Sequence, residues 1–349
     1  MPYRLPSMLI ASLILLLGTG IAHGQGDTVE LYSAVQVTLV PPVSTNGRAF
    51  AEYTNLLSLN ILVGVSQHER GVVLGGLANI TLRDARGLQL AGLCNYVGGH
   101  TRGAQIAGLV NITRESTTGM QLAGLTNIGD SIHEAPLMGL VNVARVVHGG
   151  QLLGAINVAG DAERSLFAGL VNVAGKVERG QLVGLVNVAD SCDAPVGLLN
   201  LVRNGDYSIA ATYDETGSTL LSLRTGKRSY GILGVGFNHQ IRGGALAVVM
   251  GIGAQSHLAQ WLRFQHEFTG GILLPTSPRD VGFKTSYTLM LAARWGHLTL
   301  LAGPSINHMH MGGEAHRLRR AGWALYQQHS ERHWWRVHMG YTVGVQYTL

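Results

Sequence analysis

The chain has 349 residues, of which 13% are charged and 48 are glycine. Charged residues are about half as frequent as the ~25% usual in soluble domains and glycine is roughly twice as frequent, which excludes a chain of long solvated helices and indicates many turns. The formal charge of +5 comes from scattered rather than clustered Lys and Arg, so no nucleic-acid partner is expected.

The first 24 residues are typical of an export signal. Arg4 precedes the apolar run MLIASLILLLGTGIA, and the small and polar residues AHGQG follow it. We therefore expect an exported protein whose mature chain starts near Gln25. No later stretch reaches 18 unbroken apolar residues, which argues against a helical membrane protein.

An internal repeat follows, in which every copy contains G-x-x-N. The copies are spaced by 16 residues at first, then by 15, and by 13 at the end. Its asparagines are Asn79, Asn95, Asn111, Asn127, Asn142, Asn157, Asn172, Asn187 and Asn200. A glutamine stands six residues before five of them, at Gln89, Gln105, Gln121, Gln151 and Gln181.

Two all-β architectures can be built from such a repeat. In a β-solenoid each copy forms one coil, and the equivalent Asn and Gln side chains form hydrogen-bonded ladders between coils. In one continuous antiparallel β-barrel each copy would be a strand, with short turns alternating with long loops. The links between copies are uniform up to Asn187, which favours the solenoid and leaves the barrel as the alternative.

The C-terminal part shows a different pattern, the alternation of apolar and polar residues typical of barrel strands. In Phe283–Trp295 and Trp335–Tyr347 the apolar face is bracketed by aromatics 12 residues apart, a height of about 30 Å for tilted strands, which matches a bilayer. The other predicted strands are Tyr207–Tyr213, Thr219–Arg224, Gly231–His239, Ala245–Ala254, Leu262–Phe268 and His297–Asn307. About eight strands can close a small membrane barrel, although a water-soluble barrel with the apolar face inward has the same alternation.

These patterns predict four segments along the chain. They are a signal peptide at 1–24, N-terminal strands or a cap at 25–69, the repeat region at 70–203 and a barrel-like domain at 204–349. The two cysteines, Cys94 and Cys192, lie six coils apart in a solenoid, about 29 Å at ~4.8 Å per coil. A disulfide needs Cα atoms within about 7 Å, so we expect free thiols.

The nine copies of GxQLAGLVNVA, with VQVTLVPPVSTNGRAFAEYTNLLSLNILVG before them and a barrel-like tail after them, resemble a family of bacterial exported surface repeat-containing proteins. The resemblance covers residues 34–240. It implies the envelope of a Gram-negative bacterium, but it supplies no catalytic or binding residue because members of the family are mostly of unknown function.

One group of residues has metal-binding chemistry. In NHMHMGGEAH the candidate ligands are His308, His310 and His316, and two histidines at i and i+2 of a strand share a face. The competing interpretation is an exposed polar loop between the last two strands. No hydrolase, nucleotide-binding or zinc-protease motif is present, so we expect neither an enzyme nor a bound cofactor.

The sequence therefore predicts a structural or binding protein of the outer membrane or cell surface, in which the barrel is the anchor and the repeats form a rigid interaction surface. Its expected partners are outer-membrane lipid and an envelope or surface protein or carbohydrate. Two alternatives are a transport or secretion barrel that carries the repeat segment, and an outer-membrane enzyme that uses the His-rich site.

Overall fold

The computed structural model describes residues 30–241, 243–275, 281–312, 322–329 and 333–349. These residues are mostly β-strand, with a 3-10 helix at Gly47–Glu52. The chain divides into two compact units, residues 1–184 with 188–191 and residues 185–187 with 192–349. Among the described residues no helix is long and apolar enough to cross a membrane.

Strands that pair in parallel build the first unit, except that Val43–Ser44 pairs antiparallel with Leu31–Val40. They are β1 (Leu31–Val40), β2 (Val43–Ser44), β3 (Tyr53–Asn60), β4 (Val63–Ser66), β5 (His68–Gly75), β6 (Ala78–Thr81), β7 (Ala85–Ala91), β8 (Cys94–Val97), β9 (Thr101–Ala107), β10 (Val110–Ala123), β11 (Thr126–His133), β12 (Pro136–Met138), β13 (Val141–His148), β14 (Gln151–Leu153), β15 (Ile156–Glu163), β16 (Leu166–Ala168), β17 (Val171–Glu178) and β18 (Gln181–Val183). Before the barrel come β19 (Val186–Cys192), β20 (Pro195–Val196) and β21 (Leu199–Val202).

The pairing register confirms the predicted β-solenoid. Asn79 lies beside Asn95, Asn95 beside Asn111 and Asn111 beside Asn127, all between parallel strands. The alternative of one continuous antiparallel barrel is wrong, because residues one repeat apart are parallel neighbours. Parallel stacking already begins between β1 and β3, so part of the predicted 25–69 segment belongs to the stack. Neither Cys94 nor Cys192 forms a disulfide, as predicted.

A ladder of buried asparagines runs through the solenoid. Each Nδ2 donates to the Oδ1 of the asparagine in the next coil at 2.9–3.0 Å, from Asn60 through to Asn172. The same Nδ2 also donates to a backbone carbonyl, as Asn142 does to Leu153 O at 3.0 Å. These bonds satisfy amide groups that would be costly to bury alone.

The glutamines form a ladder in only part of the solenoid. Gln105 Nε2 donates to Gln89 Oε1 at 2.7 Å, and Gln121 Nε2 donates to Gln105 Oε1 at 2.6 Å. The next coil brings Leu137, not a glutamine, beside Gln121. The predicted ladder roles of Gln151 and Gln181 are wrong, since both side chains are exposed. In the 15-residue coils the residue that stacks on the glutamine ladder stands five residues before the asparagine instead of six. Leu152 and Leu182 therefore point inward in place of the glutamines.

Replacing one asparagine should break the ladder on both sides. Asn142→Ala leaves Asn127 Nδ2 without its acceptor and Asn157 Oδ1 without its donor. Since each unsatisfied buried group costs about 1–3 kcal/mol, we expect a loss of roughly 2–5 kcal/mol. Hydrogen exchange of solenoid peptides in the full chain measures this loss of stability, and the exposed Thr118→Ala is the control. Equal protection in both variants would contradict a stabilising ladder.

A second test uses Glu69, a buried carboxyl near the start of the stack. Burial raises its pKa above the usual value, although hydrogen bonds from Ser66, Ser58 and Asn55 act in the opposite direction. Because the folded pKa exceeds the unfolded one, the unfolded state loses its proton first, and the folded state loses stability as the pH rises from the unfolded pKa to the raised one. We expect solenoid stability to fall as the pH rises through this range, and Glu69→Gln to flatten this dependence. Glu134→Gln, at an exposed site, should keep the wild-type profile; flattening by this control would refute the assignment to Glu69.

The second unit contains an antiparallel barrel. Its strands are β22 (Asp206–Asp214), β23 (Ser218–Gly226), β24 (Ser229–Asn238), β25 (Ala245–His257), β26 (Leu262–Pro275), β27 (Gly282–Trp295), β28 (Leu298–Gly312), β29 (Trp323–His329) and β30 (His333–Thr348). Eight of them close the barrel, because β22 pairs with both β23 and β30. The ninth, β29, pairs with the first part of β30. The predicted barrel of about eight strands is confirmed.

The barrel has apolar residues outside and polar residues inside. Along β27 the outward Tyr287, Leu289 and Leu291 are exposed, whereas the inward Ser286 and Thr288 are buried. The aromatics at both ends of β27, Phe283 and Trp295, are 50% and 60% exposed. A water-soluble barrel with its apolar face inward is thus ruled out by the direction of the side chains.

Candidate functional site in the barrel lumen

Charged side chains from non-neighbouring strands meet inside the barrel. In the first group, which we call the arginine group, Arg224 on β23 pairs with Glu267 on β26, with 3.1 Å between Nη2 and Oε1. Tyr230 donates its hydroxyl to Glu267 Oε1 at 2.8 Å, and Arg224 Nη1 donates to Gln346 Oε1 at 2.9 Å. All four side chains are buried, so these contacts join β23, β24, β26 and β30 across the lumen.

The second group, the lysine group, lies toward the other end of the barrel, at the end that carries the turn after β22. Lys284 Nζ is 2.7 Å from Asp214 Oδ2 and 3.9 Å from Glu215 Oε1. Glu215 Oε1 also accepts from Asn307 Nδ2 and contacts His338 Nε2, both at 2.8 Å. The group thus joins the turn after β22 to β27, β28 and β30.

A glycine makes room for the inserted glutamate. Glu215 belongs to the turn between β22 and β23, yet its side chain is buried, and its Oε2 accepts from the backbone N–H of Tyr341 at 3.0 Å. A Cβ on Gly340 would lie 2.1 Å from Cδ of Glu215. Any larger residue at 340 would therefore displace the carboxylate from its donors.

Between the two groups lies a cavity of about 70 Å³. Its wall includes Asp214 and Lys284 from the lysine group and Arg224 and Glu267 from the arginine group, with Thr288 between them. This volume holds a few water molecules, whereas a drug-sized ligand needs about 300 Å³ or more. The lumen can therefore hold water between two crossing sets of ion pairs, but it is not an open channel.

The predicted metal ligands are only partly brought together. His308 and His310 both lie on the outward face of β28, and both rings pack on Trp335, with centroids 5.6 Å and 4.4 Å apart. The interpretation of this stretch as a loop is wrong for these two residues, because β28 continues to Gly312 and pairs His310 with Phe283 and Trp335. His316 lies outside the described residues. Among the residues that are described, no group of three His, Cys, Asp or Glu could hold a metal ion.

One serine–histidine–glutamate set occurs on the solenoid. His100 Nδ1 is 2.6 Å from Ser116 Oγ, and His100 Nε2 is 2.8 Å from Glu115 Oε2. The side chains of His100 and Glu115 are 49% and 56% exposed. Such exposure is the setting of a solvated surface contact, in which water screens the charges, and not that of an activated nucleophile.

Alternation in Phe283–Trp295 and Trp335–Tyr347 predicts that Lys284 and His338 lie on the polar faces of their strands, but it does not predict the group that they join. Alternation along a strand gives the direction of a side chain, not its partner on a strand across the barrel. Glu215 was missed because a carboxylate in a turn is ordinarily solvated. The sequence signal for it is Gly340, one of the two glycines of β30.

Comparison of the chain with protein-family models, with curated proteins and with solved structures finds no match. The fold and the lumen are therefore interpreted on their own chemistry.

Removing one partner of the buried Lys284–Asp214 pair should destabilise the barrel. Lys284→Met leaves the Asp214 carboxylate buried without its cation, which costs about 3–5 kcal/mol for such pairs. The double variant Asp214→Asn with Lys284→Met should recover much of this loss. Guanidinium unfolding of the full chain in detergent measures it, and unchanged stability of Lys284→Met would show that the pair does not hold the lumen together.

Proposed function

We propose that this chain is an outer-membrane protein of a Gram-negative bacterium, in which the barrel is a closed anchor and the solenoid is a rigid structural or binding arm. The observation that carries the proposal is the orientation of the barrel residues, with exposed aliphatic and aromatic side chains outside and buried ion pairs inside. Lipid is the solvent that makes this arrangement stable. The predicted export signal and the resemblance to exported repeat proteins support the same compartment.

The two alternatives receive less support. A transport or secretion barrel needs a path for its cargo, whereas this lumen is crossed by the arginine and lysine groups. An eight-stranded barrel is also narrow enough for side chains to fill. An enzyme that uses the His-rich stretch would need a third ligand or a nucleophile beside His308 and His310, and those two rings pack on Trp335 instead.

A charge placed on the outer face tests the anchor directly. Leu291, near the middle of β27, is outward and 51% exposed. If it faces hydrocarbon, Leu291→Arg should cost roughly 2–4 kcal/mol; if it faces water, the change should lie within about 0.5 kcal/mol. We expect wild type and the control Leu291→Met to stay in the outer-membrane fraction after a carbonate wash. Both should migrate faster unheated than boiled, and Leu291→Arg should lose the fast band first. Release of wild type into the wash would overturn the proposal that the barrel is a membrane anchor.

The lengths of the connections suggest which side of the membrane the repeats face. At one end of the barrel the strands are joined by the short links 227–228, 258–261 and 296–297, and at the other by 215–217 and the longer 239–244, 276–281 and 313–322. Outer-membrane barrels have short turns on the periplasmic side. The chain enters β22 and leaves β30 at the short-turn end. The residues before Asp206 therefore start in the periplasm.

Contacts within the second unit support this topology. Asn200 N donates to Thr225 Oγ1 at 2.9 Å, and Ser229 Oγ donates to Pro195 O at 2.7 Å. These bonds hold residues 195–200 at the ends of β23 and β24 that carry the short turn.

Thiol labelling of intact cells tests the topology. An exposed site on the solenoid, Arg114→Cys, should react with an impermeant maleimide only after the outer membrane is permeabilised. Gln327→Cys on β29, at the long-loop end, should react in intact cells. Both variants are made with Cys94→Ser to remove the half-buried thiol. Labelling of Arg114→Cys in intact cells would reverse the assigned orientation.

A further inference from the structure

The solenoid has an apolar edge along its whole length. The first coil bends at Ile61-Leu62 and each later coil at a Gly-Leu or Gly-Ala pair between two strands, and the bend residue points outward. We call this row the leucine edge: Leu62, Leu77, Leu93, Leu109, Leu125, Leu140 and Leu170, with Ala155 in the remaining coil. Its seven leucines are 41–55% exposed. Leucines on a water-facing surface are ordinarily scattered, and a continuous apolar patch marks an interaction site.

Both strands beside the edge continue the apolar surface. The column that precedes the bend contains Leu74, Leu90, Ile106, Leu122, Met138, Leu153, Ala168 and Val183, stacked in register. The column after the bend contains the half-buried Ile80, Tyr96, Ile112, Ile128, Val158 and Val173, whereas Val143 in the same column is buried. The apolar surface therefore wraps around the edge on both sides.

Charged residues are confined to the other part of each coil. The stretches 71–82, 87–101, 103–113, 116–129, 135–144, 146–160 and 165–175 contain no Asp, Glu, Lys or Arg. The charges between them stack into a polar edge; Asp130 with Arg145, and Glu163 with Arg179, are ion pairs between coils. The cross-section of the solenoid is thus amphipathic, like that of a helix that lies in a membrane interface.

The backbone at the leucine edge also meets the requirement for contact with lipid. Leu93 N donates to Leu77 O at 2.8 Å, Leu109 N to Leu93 O at 3.0 Å and Leu125 N to Leu109 O at 3.0 Å. The peptide groups along the leucine edge are therefore hydrogen-bonded from coil to coil even at the bends. Hydrocarbon tolerates only backbone that is satisfied in this way.

We propose that the leucine edge of the solenoid inserts into a lipid monolayer, while the polar edge remains in water. The proposal rests on the proposed function, since the barrel of the same chain keeps the arm next to a bilayer. Shape and chemistry favour lipid over a second copy of the chain. The edge is a convex ridge, which a fluid lipid layer can follow, and its columns offer almost no hydrogen-bonding side chain, whereas protein interfaces carry about one hydrogen bond per 100–200 Å².

The test is fluorescence quenching by lipid in the full-length protein. Single cysteines are introduced with Cys94→Ser, labelled with an environment-sensitive dye, and reconstituted in phosphatidylethanolamine–phosphatidylglycerol vesicles that contain a nitroxide phospholipid. Leu109→Cys and Leu140→Cys report on the leucine edge, and Arg114→Cys on the polar edge. Leu291→Cys reports on the outer face of the barrel. A burial depth of about 5–10 Å should lower the fluorescence at positions 109 and 140 to below about half, with little change at 114.

The outcomes separate the two proposals. Quenching at 109, 140 and 291 but not at 114 supports insertion of the leucine edge into lipid. Quenching at 291 without quenching at 109 and 140 overturns the edge proposal and leaves the membrane anchor standing. Loss of quenching at 291 overturns the anchor, and the edge proposal with it. Energy transfer between copies labelled at 109, in the absence of lipid quenching there, would identify a second copy as the occupant and also overturn the edge proposal.

Discussion

The buried asparagine ladder is the interaction on which the first unit depends. A primary amide in the interior is stable only if its donors and acceptor are all used, and here the partner of each amide is the same residue one coil away. This condition fixes the register between coils, because a slip of one residue would turn the asparagine outward and a neighbour such as Val141 inward. The ladder therefore keeps the asparagines in register while the length of the coil changes from 16 to 15 residues.

The same distribution of polarity recurs in the barrel, for a different reason. In the solenoid the interior amides form bonds along the stack, whereas in the barrel the interior charges form bonds across the lumen between strands that are not neighbours. Both arrangements leave aliphatic side chains on the outside and satisfy the backbone by pairing between strands. The solenoid differs in that its later coils also bury aliphatic and aromatic side chains, among them Leu137, Leu152 and Phe167.

How far the sequence predicts the structure differs between its parts. The constant spacing of Asn79 and its counterparts predicts the parallel stack, and alternation in Phe283–Trp295 predicts the barrel wall, because both are regular along the chain. The inward direction of Leu152 in place of Gln151 was not predicted. It arises because the 15-residue coil has one residue fewer between the glutamine-ladder position and the asparagine. The joining of Glu215 to Lys284 and His338 was missed as well, because partners across a closed sheet depend on its curvature and not on local pattern.

The nearest-neighbour character of the asparagine ladder has an evolutionary consequence. Each coil touches only the one before and the one after, so stability is nearly a sum over coils. In-frame duplication or deletion of one repeat unit then adds or removes a coil, and with it about 4.8 Å of arm, without disturbing the remaining contacts. The barrel offers no such freedom, because closure fixes its strand number. The gene can therefore vary the length of the solenoid by recombination between its own repeats while the barrel stays constant.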